Sequence, residues 1–233
     1  MSPNAKTASV VLVHGAWADG SCWINVILPL QHQGLNVIAA PIPLTSLTDD
    51  VSALQRVIER ATGPVILVAH AYAGAVIAAA HHDRVKSLVY VAALAPDESE
   101  TVADVFYHAA PHPKAPHLAP DAFGLIWMPE EGFAGAVAHK ASRDQVAIMA
   151  AVQRPLAVQC IQEKAPAPAW RTTPTWFLIA EEDRMILHET QRFMADRMGA
   201  TIRSHKVDHT PMYTAPNVVV DVVLEAAHEA AAK

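Results

Sequence analysis

The stretch Pro64–Ala75, P-V-I-L-V-A-H-A-Y-A-G-A, decides how this chain is read. Val65–Val68 is a short apolar run rich in β-branched residues, the pattern of a parallel strand buried on both faces. Ala69–Gly74 then turns sharply into a second apolar, alanine-rich run, Ala73–Ala80, which reads as a helix. Strand, tight turn and helix, with small residues two before and two after the apex, is the layout that lifts a nucleophile above the edge of a sheet. Ala69 and Ala73 supply the small flanks. The apex, where a serine belongs, is Ala71, which has no nucleophilic atom.

Outward from this turn, the strand code repeats. Ala8–Val13 is a buried strand running into His14-Gly15-Ala16-Trp17, where a loop can leave backbone N–H groups free. Ser21 is expected to cap a helix over Cys22–Gln33 that stops at Gly34. Val37–Ala40 is the next strand, and Thr48 or Asp49 is expected to cap a helix over Asp50–Ala61 with apolar positions at Val51, Leu54, Val57 and Ile58. Val85–Leu94 follows the elbow helix as another strand. After the break, Thr175–Ala180 and Ala200–Val207 read as strands, with helices over His188–Met198 and Asn217–Ala231. This alternation predicts an α/β fold, a mostly parallel sheet of about six strands flanked by helices.

Between Leu94 and Pro174 the alternation stops. Pro111, Pro113, Pro116 and Pro120 stiffen a helix-free segment, short amphipathic stretches surround it, and Ala165–Ala169 reads as a rigid return linker. The expected organisation is a core of residues 1–96 and 171–233 with a helical cap, 97–170, inserted at the carboxyl edge of the sheet.

Composition narrows the partners. The chain has 233 residues, 52% hydrophobic and only 17% charged, which is enough apolar content to fill a large core. A net charge of −6 argues against nucleic acid and anionic membranes. No run approaches the roughly 18 uncharged apolar residues of a membrane span. The start, Met1–Thr7, is polar and leads straight into a strand, so no signal peptide is expected. Cys22 and Cys160 are too few for a disulfide framework and are expected as reduced thiols in a cytoplasmic protein. A homodimer is left open.

Two further motifs follow strands. Glu181-Glu182-Asp183-Arg184-Met185-Ile186 trails the penultimate strand, and Asp208-His209-Thr210-Pro211-Met212 trails the last. Elbow, acid, then histidine, together with a His-Gly loop after the first strand, resembles the α/β-hydrolase superfamily. The likeness is nearest to small bacterial members reading V-L-V-H-G-A-W-A-D-G-S-C-W near the start, with D-R-M-I at the acid and H-x-P-M at the histidine. The hydroxynitrile lyase and plant methylesterase branch is a more distant relative. The resemblance implies that Ala71 stands at the nucleophile position, His209 is the general base and Asp183 orients it. It also implies an oxyanion hole from the N–H groups of Ala16 and Tyr72, and a small ester or lactone as substrate. No cofactor and no metal are implied.

Competing readings are few. Glu181 and Glu182 rival Asp183 as the acid, and so does Asp97, because some relatives draw it from the strand before the cap. His108, His112 and His117 are separated by prolines that forbid a helix aligning them as metal ligands. His81-His82 reads as a helix terminus and Cys22 as packing. Trp17, Phe106, Trp127 and Met128 are expected to line a substrate pocket.

The alanine has three explanations: a replacement that inactivates a hydrolase and holds uncleaved substrate, a ligand-binding protein on a hydrolase fold, or dioxygenase chemistry needing only histidine and aspartate. Drift away from catalysis should also erode the acid, the base and the small flanks. All of these remain, which favours the first. Thr210 stands where the lyase branch carries lysine, so lyase chemistry is disfavoured.

Overall fold

The structure is a computed structural model and describes residues 7–231. Met1–Lys6, in the polar start expected to lack a leader, lie outside the described residues. The strands are β1 (Ser9–Val13), β2 (Asn36–Ala40), β3 (Val65–His70), β4 (Val85–Val91), β5 (Leu125–Ile126), β6 (Leu156–Ala157), β7 (Thr175–Ala180) and β8 (Thr201–His205). Six of them form one parallel sheet in the order β2-β1-β3-β4-β7-β8, and β5 pairs antiparallel with β6. Helices α1 (Ile24–His32), α2 (Leu47–Arg60) and α3 (Ala73–Ala79) lie before β4. Helices α4 (Val102–Phe106), α5 (Glu130–Gly132), α6 (Arg143–Val152) and α7 (Gln159–Gln162) lie between β4 and β7. Helices α8 (His188–Arg197), α9 (Pro211–Thr214) and α10 (Pro216–Ala231) complete the chain.

The twofold period of a strand splits the core in two. Val11 and Val13 of β1, with Leu67 and Ala69 of β3, join one apolar layer with residues of α2, α3 and α8. Val10 and Leu12, with Ile66 and Val68, join the other with residues of α1 and α10. Central strands buried on both faces therefore read as unbroken apolar runs. The edge strand β8 does not, and its T-I-R-S-H sequence is largely exposed.

Helix starts differ from the sequence reading by a few residues. Asp19, not Ser21, caps the first turn, a short 3-10 segment over Gly20–Trp23, by accepting the Ser21 N–H. Ser46 caps α2 by accepting the Asp49 N–H, so the helix begins ahead of the expected Thr48 or Asp49 cap. Several polar residues in a row can cap a helix, and the backbone path chooses among them.

The chain runs from β1 outward to β2, then returns to β3 on the other side of β1. This reversal opens a crevice at the carboxyl ends of β1 and β3, the place where open α/β sheets bind ligands. Residues from α4, β5, β6 and α7 line the cavity there.

Candidate active site

Ala71 sits between β3 and α3 with φ +51°, in the left-handed region that a Cβ disfavours by about 1–2 kcal/mol. Its neighbours hold it there. Its carbonyl accepts N–H bonds from Leu94 at 2.9 Å and Gly74 at 3.1 Å. A Cβ on Gly74 would run into the Leu94 carbonyl oxygen, so glycine is needed for α3 to pack so close. A Cβ on Gly15 would lie 3.0 Å from the Ala71 methyl and from His70, so glycine also lets the loop after β1 approach the turn.

Asp183 and His209 meet across the ends of β7 and β8. His209 donates its Nδ1–H to Asp183 Oδ2 at 2.7 Å, and both side chains are buried. Asp183 Oδ1 accepts the N–H groups of Met185 at 2.7 Å and Ile186 at 2.9 Å, while Gln191 Nε2 donates to Oδ2 at 2.9 Å. The His209 loop is also tied down through its backbone. His70 Nε2 donates to the His209 carbonyl at 2.7 Å, with the two rings 4.6 Å apart. Asp208 accepts the N–H groups of Lys140 and Thr210 and the hydroxyl of Thr214, which anchors the same loop to the segment inserted after β4. With Nδ1 engaged, His209 Nε2 is left without a partner among the described residues, and His209 lines the cavity that Ala71 also lines.

That cavity has two compartments meeting at Ala16, Trp17, Ala71 and His209. The larger, of about 110 Å³, is walled by apolar side chains including Phe106, Leu118, Ile126, Ile161 and Met185. The smaller, of about 40 Å³, lies among Phe133, Met149, Met212 and Tyr213, with Asp19 and Ser21 as polar members. The N–H groups of Ala16 and Tyr72 donate no hydrogen bond among the described residues. Trp17 Nε1 reaches the Ile126 carbonyl at 3.0 Å and ties the loop after β1 to β5.

Burial sets the charge states behind the site. It holds the His70 imidazole well below the usual histidine range, reinforced by His209, so His70 is a neutral donor. Burial likewise lowers His14. Asp50, buried behind the turn, is pushed up to about 6 by burial, although it accepts the Tyr72 hydroxyl at 2.7 Å and the Leu44 N–H at 2.7 Å. Cys160, beside Asp50, is raised to about 12 and Cys22 well above its ordinary value, both by burial, so neither thiol is a ready nucleophile.

The residues named from sequence separate into two groups. Ala16, Trp17, Ala71, Tyr72, Phe106 and His209 line the cavity, and Asp183 stands behind His209. Trp127 and Met128 do not line it. Trp127 is 49% exposed with Nε1 on Asp121, and Met128 is packed into a small core with Phe133 and Val146. The rival acids lie elsewhere: Asp97 pairs with Arg171, Glu182 with Lys140, and Glu181 accepts the Ser204 hydroxyl. Among the described residues no group of three or more His, Cys, Asp or Glu side chains is placed to hold a metal ion. His70, Asp50 and Gln191 carry the supporting contacts, a role that no sequence motif assigns to them. His70 alone had a signal, its place beside the apex.

The fold recurs in solved structures. Polyneuridine aldehyde esterase is 16% identical with a TM-score of 0.82, covering 94% of this chain and 98% of its own. A pyrethroid hydrolase from Sphingobium faniae JZ-2 is 19% identical with a TM-score of 0.79, covering 95% and 98%. An extracellular alpha/beta-hydrolase from a Paenibacillus species is 21% identical with a TM-score of 0.77, covering 94% and 98%. Identities this low speak to the fold. No curated protein sequence matches the chain significantly. The profile of the alpha/beta hydrolase family, however, matches residues 10–222, nearly the full length, and the chain belongs to that family.

Proposed function

We propose that this is the site of a serine-type carboxylic ester hydrolase, specific for a small ester or lactone, in which alanine occupies the nucleophile position. One observation carries the reading: a buried His209–Asp183 pair at 2.7 Å shares a cavity with an alanine held at φ +51°. A strained backbone and a buried polar pair are both costly to maintain, and together they suit one chemistry. With serine at residue 71, His209 Nε2 would take the hydroxyl proton as Oγ attacks the ester carbon. The N–H groups of Ala16 and Tyr72 would hold the oxyanion, and His209 would return the proton to the departing alcohol. Water, deprotonated by the same histidine, would then attack the acyl carbon, and Oγ would leave with that proton as the acid is released. As it stands, the chain binds the ester and does not cleave it.

In this reading residues 97–170 form a cap whose α4 and α7 shape the larger compartment, and Trp17 and Phe106 contact substrate. Among the described residues no helix is long and apolar enough to cross a membrane. A cytoplasmic enzyme with a small-molecule substrate is part of the same proposal. The test pairs two assays. Ala71→Ser should show burst-type release from a short p-nitrophenyl ester, while the alanine chain should bind the ester without turnover. Oxygen uptake with Ala71 in place would favour chemistry by His209 and Asp183 alone. Failure of the serine variant across an ester and lactone panel would end the hydrolase reading.

A further inference from the structure

Gln191 lies in the second turn of α8 with no exposed surface, an unusual place for a primary amide. Side chains on a helix lean toward its N-terminus, so from this position Gln191 reaches back over the loop that carries Asp183. Both polar atoms of the amide are engaged and both N–H donors are used. Its Oε1 accepts the Ala180 N–H at 3.0 Å, and its Nε2 donates to Asp183 Oδ2 at 2.9 Å and to the Ile186 carbonyl at 2.6 Å. These partners fix which end is oxygen, because a flipped amide would face the carboxylate and a carbonyl with its own oxygen.

The consequence falls on Asp183. An ionised carboxylate offers about four acceptor directions. Met185 and Ile186 fill two on Oδ1, and Gln191 fills one on Oδ2, leaving the last for His209 Nδ1. Removing Gln191 would free the carboxylate to rotate or take in water. We propose that Gln191 is a positioning residue: by occupying one side of Asp183 Oδ2 it fixes the plane of the carboxylate, and so the tautomer and aim of the His209 ring. The catalytic part of this inference rests on the hydrolase reading above, while the effect on the His209–Asp183 bond does not.

A residue that only packs the acid loop would affect stability and nothing else, so the readout must be the histidine. In the chain as it is, the low-field proton resonance of His209 Nδ1–H reports the bond to Asp183. Gln191→Met keeps volume and deletes the amide, and should broaden or shift that resonance out of its low-field position. Gln191→Glu is nearly isosteric, and a buried carboxyl this close to Asp183 stays protonated at neutral pH and donates to Oδ2 in place of the amide, so the resonance should persist there. It should be lost as pH is raised and the introduced carboxyl ionises against Asp183, while the parent keeps it.

In an Ala71→Ser background, Gln191→Met should lower kcat on the order of tenfold to a hundredfold, the range seen when a partner of a functional group is removed, with KM little changed. An unaltered His209 resonance in Gln191→Met, with kcat intact, would reduce Gln191 to packing and overturn the inference. If Gln191→Met fails to fold, loss of the resonance in alkali by Gln191→Glu, and not by the parent, decides alone. If the serine background is inactive while the resonance responds, the positioning stands and the hydrolase reading falls.

Discussion

At the ends of β7 and β8, Asp183 has every acceptor direction filled and His209 is held through both its ring and its carbonyl. At the end of β3 the backbone is equally committed, with φ +51° at residue 71 and glycines where Gly15 and Gly74 make close approaches, yet the side chain there is a methyl group. The contrast separates two kinds of cost. Buried polar pairs are often no more stabilising than apolar residues of the same volume, so the acid–base half is poorly explained by stability. The elbow half is strained by any residue that carries a Cβ. A site in decay would loosen on both sides, whereas here both sides are held and residue 71 differs from a serine by one oxygen atom.

Ala71→Ser is the strongest attempt to break this comparison. If the two halves are matched, turnover of a cleavable ester should rise on the order of a millionfold, the usual consequence of having or lacking a serine nucleophile. Steady-state and burst kinetics with p-nitrophenyl acetate measure it. A rise of only a few fold would mean that His209 does not serve residue 71. The next largest effect belongs to the acid. In the serine background, Asp183→Asn should cost on the order of ten-thousandfold in kcat, because an amide favours the wrong tautomer of the histidine. The same change at Asp97, which pairs with Arg171 at the surface, should leave kcat within about twofold.

The sequence made these residues legible to unequal degrees. Strands buried on both faces announce themselves as apolar runs, and the chain order of elbow, acid and histidine placed Ala71, Asp183 and His209 on one sheet edge. Trp127 and Met128 were misplaced because the segment between β4 and β7 has no period. Its short β5–β6 ribbon turns Trp127 outward to Asp121, and Met128 inward to Phe133. Gln191 and Asp50 were invisible for another reason. A polar residue among other polar residues near a helix start reads as solvent-facing, and only the tertiary path shows that it points at Asp183 or Tyr72.

Asp50 tests the elbow half through pH. Its carboxyl is raised by burial from 3.8 to about 6, so the folded protein binds a proton there more tightly than the unfolded chain. The sign follows: this group makes stability fall as pH rises from about 4 to about 6, by roughly 3 kcal/mol in all, and adds no slope above that. Urea unfolding of the parent and of Asp50→Asn across pH 4 to 8 should therefore diverge, the variant gaining on the parent as pH rises. Hydrogen bonds lost to Tyr72 or Leu44 would add a constant offset and leave the slope difference untouched. Parallel profiles would show that Asp50 is not the buried acid that its surroundings imply.

The smallest effect is also the most direct measure of strain at the apex. Glycine adopts positive φ without penalty, so Ala71→Gly should release part of the 1–2 kcal/mol that a Cβ costs at φ +51°. Against this stand the lost methyl burial and the greater freedom of glycine in the unfolded chain, worth about 0.4–1 kcal/mol for the latter. The methyl faces the cavity and makes only part of the contact that a core methyl makes. The net expectation is a gain of about 0.5 kcal/mol, read from the urea midpoint at unchanged slope. Ala73, two residues on at the start of α3, is the control: it has ordinary helical geometry and a fully buried methyl, so glycine there should cost about 1 kcal/mol. Opposite signs at 71 and 73 would locate the strain at the apex. A loss at both would mean that the turn holds alanine comfortably, and the argument that it is built for a strained nucleophile would lose its energetic support.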